Sequence, residues 1–214
     1  MGTLKFLIVD DHQLMIDGYI SILRGTAYNI DFYIAKNCEQ AEVHISGNIQ
    51  FDIIFLDRAL PDFEKYLSGE DLALLAKKKM PNARIMILTS HAEVFVLYNI
   101  VQKINPAALL VKSDFNGAEL ITAVEKVLNG GTYRSLTVNK IIKNISSRDG
   151  YLDNYNRQII LLLSQGIKTK NLSEHLHLSA SAIDKRKVHI KEFFNIEKGG
   201  DEDILREARQ AGFI

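Results

Sequence analysis

Residues 4–11 read Leu4-Lys5-Phe6-Leu7-Ile8-Val9-Asp10-Asp11, an apolar β-rich run that closes on two carboxylates. The same form returns along the chain. It is found at Phe51-Asp52-Ile53-Ile54-Phe55-Leu56-Asp57, at Arg84-Ile85-Met86-Ile87-Leu88-Thr89-Ser90 and at Ala107-Ala108-Leu109-Leu110-Val111-Lys112, with a further run at Ile30-Asp31-Phe32-Tyr33-Ile34-Ala35. Short runs of this composition predict five strands. Four of them are nearly continuously apolar, as parallel strands covered by helices on both faces must be, and the intervals between them have crossover-helix length. The predicted architecture is a doubly wound α/β sheet.

The rest of the chain bounds what can surround that sheet. At 214 residues, 47% of them hydrophobic, with only three prolines, the chain has apolar mass for two folded domains. Its formal net charge is zero, so no global field holds a polyanion and any nucleic-acid affinity must come from a local patch. The lone Cys38 excludes an internal disulfide and a thiolate metal cluster. No apolar run approaches the roughly 20 residues of a spanning helix, and Met1-Gly2-Thr3 runs straight into the first strand, so a cytoplasmic protein without membrane attachment is expected.

A fifth helix is predicted from about Asn116 to Leu128, with Leu120, Ala123, Val124 and Val127 on one face and Gly130-Gly131 as its stop. The first domain is therefore expected over 1–130. A linker with one short helix follows over 131–150, and a compact all-α domain over 151–214.

Ligands of an open α/β sheet sit outside the carboxyl ends of its strands. Here those ends carry Asp10-Asp11, Asp57, Thr89-Ser90 and Lys112. Taken singly, each has an ordinary structural reading as a helix cap, a loop start or a surface lysine. Together they place three carboxylates, with no histidine or thiolate, a hydroxyl and a cation around one crevice. That is a hard-oxygen site suited to Mg2+. A carboxylate can attack a phosphoryl group directly when charge on the equatorial oxygens is neutralised. Asp57 is the expected nucleophile, Asp10 and Asp11 the metal holders, Lys112 the cation on a phosphate oxygen and Thr89 the hydroxyl donor.

On these residues, 4–128 resemble the receiver domain of two-component response regulators, a flavodoxin-like fold. The resemblance implies a sensor histidine kinase or phosphotransfer protein as donor. It also implies the backbone carbonyl of Ala59 as a further metal ligand, and a phosphoacceptor protein rather than a turnover enzyme. Two positions depart from the family pattern: Leu109 stands where a switch aromatic is usual, and Ser113 follows the lysine where many receivers have proline. The loop from Arg58 to Gly69 is longer than is usual there.

In the tail, Asp153 and the apolar face Ile159, Ile160, Leu162, Leu163 predict a capped helix ending at Gly166, then a second helix from Thr169 to Leu176. A turn at Leu178-Ser179-Ala180-Ser181 opens a third, with Ile183, Ile190 and Phe194 buried. This is helix-turn-helix spacing. The outer face of the third helix is expected to carry Ser181, Asp184, Lys185, Arg186, Lys187, His189 and Lys191 to DNA. The segment resembles the LuxR-type output domain of the NarL/FixJ group at Gly166, Lys170, Leu172 to Leu176, Leu178-Ser179 and Ile183. Residues 200–214 look like a fourth helix for dimer contact. It departs from that group at Ala182-Ile183-Asp184, at Arg186 in place of the usual histidine, and at Asn156 in place of a glutamate.

The leading expectation is phosphorylation-controlled transcription regulation, with a homodimer on phosphorylation and double-stranded DNA as target. An alternative makes the helical tail a protein-interaction or dimerisation module, motivated by the acid at Asp184. A third reading, a phosphatase of dehalogenase type, requires an Asp-x-Asp motif closing strand one, and Asp10-Asp11-His12 does not supply it.

Overall fold

The computed structural model describes residues 2–61, 68–146, 152–211 and 213–214. Asp62 to Leu67 of the long loop after Asp57 lie outside the described residues. Contacts divide the chain into two compact units, one reaching Ala92 and resuming over Asn99–Asn139, the other formed by Glu93–Tyr98 with Lys140–Ile214.

Strand and helix alternate through the first part of the chain: β1 (Leu4–Val9), α1 (Gln13–Arg24), β2 (Ile30–Ala35), α2 (Cys38–Ser46), β3 (Ile53–Asp57), α3 (Gly69–Lys79), β4 (Arg84–Thr89), α4 (Val94–Lys103), β5 (Ala108–Val111), α5 (Gly117–Leu128), β6 (Tyr133–Arg134) and α6 (Leu136–Ser146), with residues 94–98 of α4 and 140–146 of α6 grouped in the second unit. The sheet is parallel throughout, in the order β2-β1-β3-β4-β5-β6. Five strands were expected and six are present among the described residues. The sixth, Tyr133–Arg134, is two residues long and carries no strand pattern of its own; it exists because its backbone pairs with Ala108 and Leu109 of β5.

Alternation along the strands divides the core. Phe6, Ile8, Ile53, Phe55, Met86, Leu88, Ala108 and Leu110 face one way and join α1 (Ile16, Tyr19, Leu23) and α5 (Leu120, Ala123, Val124, Val127) in one buried cluster. The intervening Leu7, Ile54, Leu56, Ile87 and Leu109 are buried too, as are Ala41 and Ile45 of α2 and Leu72, Ala73 and Ala76 of α3. Leu109 thus fills core where the receiver pattern expects a switch aromatic. Helix α5 starts at a full capping box: Asn116 Oδ1 accepts from the amides of Ala118 and Glu119, and Glu119 reaches back to the Asn116 amide. It ends before Gly130, whose φ of +79° suits glycine.

The segment after α5 is fastened to the loop that follows β5. Asp114 accepts from the Ser135 hydroxyl at 2.6 Å, the Thr137 amide at 2.8 Å and the Thr137 hydroxyl at 2.7 Å. Ser135 Oγ in turn accepts from the Val111 amide at 3.1 Å. Asp114 therefore caps the first turn of α6 from a distance in sequence. Asp114→Ala strands the Thr137 amide and the buried Ser135 hydroxyl. The expected loss is about 2–3 kcal/mol, read as a lower urea midpoint at unchanged slope.

The second unit holds α7 (Asn154–Ser164), a 3-10 turn (Thr169–Asn171), α8 (Leu172–Leu176), α9 (Ala180–Phe193) and α10 (Asp201–Gln210). Asp153 caps α7 by accepting from the Asn156 amide, and Ser179 caps α9 by accepting from the Ala182 amide. Ile159, Ile160, Leu172, Ile183, Ile190 and Ile204 close its core. Among the described residues, no helix is long and apolar enough to cross a membrane.

Candidate functional site

The rows that build the sheet core also aim the site. Phe6-Ile8, Ile53-Phe55 and Ala108-Leu110 lie on the face covered by α1 and α5, and the next residues in those alternations are Asp10, Asp57 and Lys112. Lys112 Nζ lies 3.0 Å from Asp10 Oδ2 and 2.7 Å from Asp57 Oδ2. Both acids are nearly sealed from solvent, at 1% and 3% exposure. Burial alone would lower the Lys112 pKa; hydrogen bonds from Lys112 to Asp57 and Asp10, with their charges, outweigh it and hold the ammonium above the usual lysine value.

Other groups fix the remaining carboxylate oxygens. Asp57 Oδ1 accepts from the Ala59 amide at 3.1 Å, and Asp10 Oδ1 from the His12 amide at 2.9 Å. Thr89 ends β4 fully buried, and its hydroxyl oxygen accepts from the His91 amide at 3.0 Å. Its carbonyl accepts from the Lys112 amide at 2.7 Å, tying the ends of β4 and β5 together. Asp11 is half-buried.

Asp10, Asp11, His12 and Asp57 each offer a ligand atom within 4.8 Å of one another. The carboxylate cluster was expected without a histidine, but His12 Nδ1 lies 2.8 Å from Asp11 Oδ1. The cause is local: the α1 N-terminus turns immediately after Asp11 and folds His12 back over the acids. Asp11 Oδ1 is buried yet receives no hydrogen bond, despite the nearby imidazole. An acceptor of this kind among hard oxygen donors fits a small divalent cation.

The long loop leaves and returns beside the acceptor strand. The Gly69 amide donates to the Arg58 carbonyl at 3.1 Å. A Cβ at Gly69 would stand 2.1 Å from the Asp57 carbonyl oxygen, so the backbone passes where no side chain fits. The Arg58 guanidinium, 2.8 Å from Glu70, fastens the same junction.

On α9, three consecutive residues cannot share a face, since each step turns the helix about 100°. Lys185 is exposed, with Ser181, Asp184 and His189; Lys191 is half-buried. Arg186 and Lys187, expected on the same outer face, turn inward to acids of their own unit. Arg186 bonds Asp153 at 2.7 Å and Asn156 at 3.1 Å, fixing α9 to the start of α7. Lys187 pairs with Asp201 and donates to Thr169 at 2.9 Å, fixing α9 to α10 and the 3-10 turn. Burial would raise the pKa values of Asp153 and Asp201, but these hydrogen bonds and charges together hold both below the usual value. Val188, exposed at 53%, joins the outer face, which sequence reasoning had not included.

Known proteins resemble this chain. The response regulator receiver domain family matches residues 6–125. The chain is 25% identical to the transcriptional regulatory protein MctR of Rhizobium johnstonii, over 99% of this chain and 95% of that protein. It is 22% identical to the response regulator UvrY of Escherichia coli, over 98% and 95%. Among solved structures, RcsB of Salmonella enterica serovar Typhimurium, bound to promoter DNA with phosphomimetic BeF3-, covers 98% of this chain and 100% of its own at TM-score 0.68 and 17% identity, a likeness of fold. With its parallel sheet, its acid pair, its buried Asp57 and Lys112 between them, the chain belongs to the response regulator receiver domain family.

Proposed function

We propose that this chain is a phosphorylation-controlled transcription regulator: Asp57 takes a phosphoryl group from a phosphohistidine of a sensor kinase or phosphotransfer protein, and the C-terminal unit binds double-stranded DNA. The observation that carries the reading is the Lys112 ammonium held between the sealed carboxylates of Asp10 and Asp57. In the transfer, an Asp57 oxygen bonds phosphorus as the phosphorus–nitrogen bond to the donor imidazole breaks. Lys112 faces the charge on the phosphoryl oxygens, and the Ala59 amide holds the second Asp57 oxygen in place. The Thr89 hydroxyl, one strand over, accepts from the His91 amide and keeps its own proton to donate to those oxygens.

Asp10, Asp11 and Asp57, with the Ala59 carbonyl, would hold Mg2+. When bound, the ion neutralises phosphoryl charge and keeps the clustered carboxylates compatible. Two phosphorylated chains pair in this reading, presenting two α9 helices to two DNA half-sites. Kinase donors and promoters place the protein in the cytoplasm.

On α9 the DNA contacts reduce to Ser181, Asp184, Lys185, Val188 and His189, with Lys191 at the edge. Asp184 can accept from cytosine N4, and Lys185 can reach guanine or phosphate. Arg186 and Lys187 act as struts that set the helix, since both are occupied by acids of their own unit. That occupation also favours a second reading, in which the C-terminal unit docks protein instead. Selection of binding sequences from random duplexes, with and without a phosphodonor, separates the two. Wild type is expected to enrich a two-half-site motif, and Lys185→Ala to bind it about 5- to 100-fold more weakly. Absence of any enriched motif in both phosphorylation states favours the protein-docking reading.

A further inference from the structure

The first unit contains a buried acid–base group that the chemistry above leaves unused. Tyr19, on α1, is 3% exposed, and its hydroxyl has no hydrogen-bond partner among the described residues. A phenol is rarely placed this way without an acceptor, because a buried unpaired hydroxyl costs more than phenylalanine at the same position. Its neighbours set the ring beside the phosphoryl site. The Tyr19 ring stacks on Phe55, with centroids 6.4 Å apart and planes 18° from parallel. Phe55 pairs with Ile8 in the β1–β3 register. Asp57 follows Phe55, and Asp10 follows Ile8, in the same side-chain rows. Tyr19 therefore covers the layer directly beneath the two carboxylates. Burial, and then the negative charges of Asp10 and Asp57, keep the phenol protonated well above the usual tyrosine range, so it remains a donor at any working pH.

We propose that Tyr19 is a positioning residue of the phosphoryl site, its hydroxyl donating from below, through one bridging water, to the Asp10–Asp57 carboxylate pair. Lys112 also holds the pair, at 3.0 and 2.7 Å. Together with Lys112 and the Ala59 and His12 amides, this donor keeps the two carboxylates at a fixed spacing for the cation and for the incoming phosphorus. Phenylalanine would satisfy the packing and the sequence periodicity equally well, but it would leave the pair to Lys112 and the Ala59 and His12 amides, with no donor from the layer beneath. The proposal rests on Asp57 and its neighbours being the receiver site.

The test compares wild type, Tyr19→Phe and Tyr19→Leu in the full chain, each titrated calorimetrically with magnesium alone and then followed by intact mass with acetyl phosphate. Tyr19→Phe is expected to melt as wild type does, to bind magnesium about 3- to 10-fold more weakly and to take up phosphoryl groups more slowly by a similar factor. Tyr19→Leu, which also loses the ring stack, is expected to show the same magnesium defect together with a lower melting temperature. Magnesium affinity in Tyr19→Phe equal to wild type overturns the proposal, and the hydroxyl is then only a passenger on a packing ring. Magnesium binding without phosphoryl uptake in wild type would mean that the acceptor reading fails, while the titration still decides the role of Tyr19.

Discussion

Asp57→Asn is expected to eliminate phosphoryl uptake, leaving intact mass unchanged after incubation with magnesium and a small-molecule phosphodonor under conditions where wild type gains one group. The amide matches the carboxylate in shape, and its oxygen can still accept from the Ala59 amide, so the strand end keeps its form. What disappears is the nucleophile. Three carboxylates stand near one another, but they are not equivalent. Asp10, like Asp57, is bonded at both oxygens, but it follows β1, which lies between the acceptor strand and the sheet edge at β2. Asp57 closes the strand flanked by both β1 and β4, and takes the shorter of the two Lys112 bonds. Losing both nucleophile and its aligned charges is worth a rate factor of at least about 1,000. A residual mass gain in the mutant would move the acceptor to Asp10 or Asp11 and sink the assignment.

The second large effect concerns stability. Lys112→Ala removes the cation from between two carboxylates exposed at only 1% and 3%. Removing one partner of such a buried arrangement costs about 3–5 kcal/mol, because the charges left behind are neither hydrated nor paired. Lys112 is itself 18% exposed, so the lower end of that range applies. Urea unfolding in a chelator should therefore show a fall of about 3 kcal/mol. Millimolar magnesium should restore a good part of it, since a divalent ion bound only by the folded chain adds its binding energy to stability. Loss that magnesium does not reduce would argue against the acid cluster as a cation site; no loss in chelator would mean that the two acids do not depend on Lys112.

The parts of the site that could be read in sequence share one property. Asp10, Asp57 and Lys112 interrupt apolar runs that are otherwise buried residue after residue, and a charge at the end of such a run has few structural uses. The strands were legible for the same reason, and α5 because its capping box and glycine stop are local chemistry. What was hidden depends on partners distant in sequence or on bare backbone. β6 has no pattern because β5 supplies it. Arg186 and Lys187 looked like a basic face because their acceptors, Asp153 and Asp201, belong to other helices. Tyr19 occupies a core position where any large ring satisfies the periodicity. Only its hydroxyl, silent in a hydrophobic pattern, separates it from phenylalanine.

Gly69 bears on how this receiver can change over time. With Arg58 and Gly69 bonded to each other beside Asp57, the two ends of the intervening segment meet at nearly one point. Lengthening such a closed excursion costs entropy only logarithmically, roughly 0.6 kcal/mol per doubling. Insertions beyond Ala59, whose amide holds Asp57, can therefore be sampled at little cost to the acceptor, whereas any side chain at position 69 would strike its backbone. Past Ala59, which serves the site directly, the segment is free to diversify in partner choice around an acceptor held by its own strand.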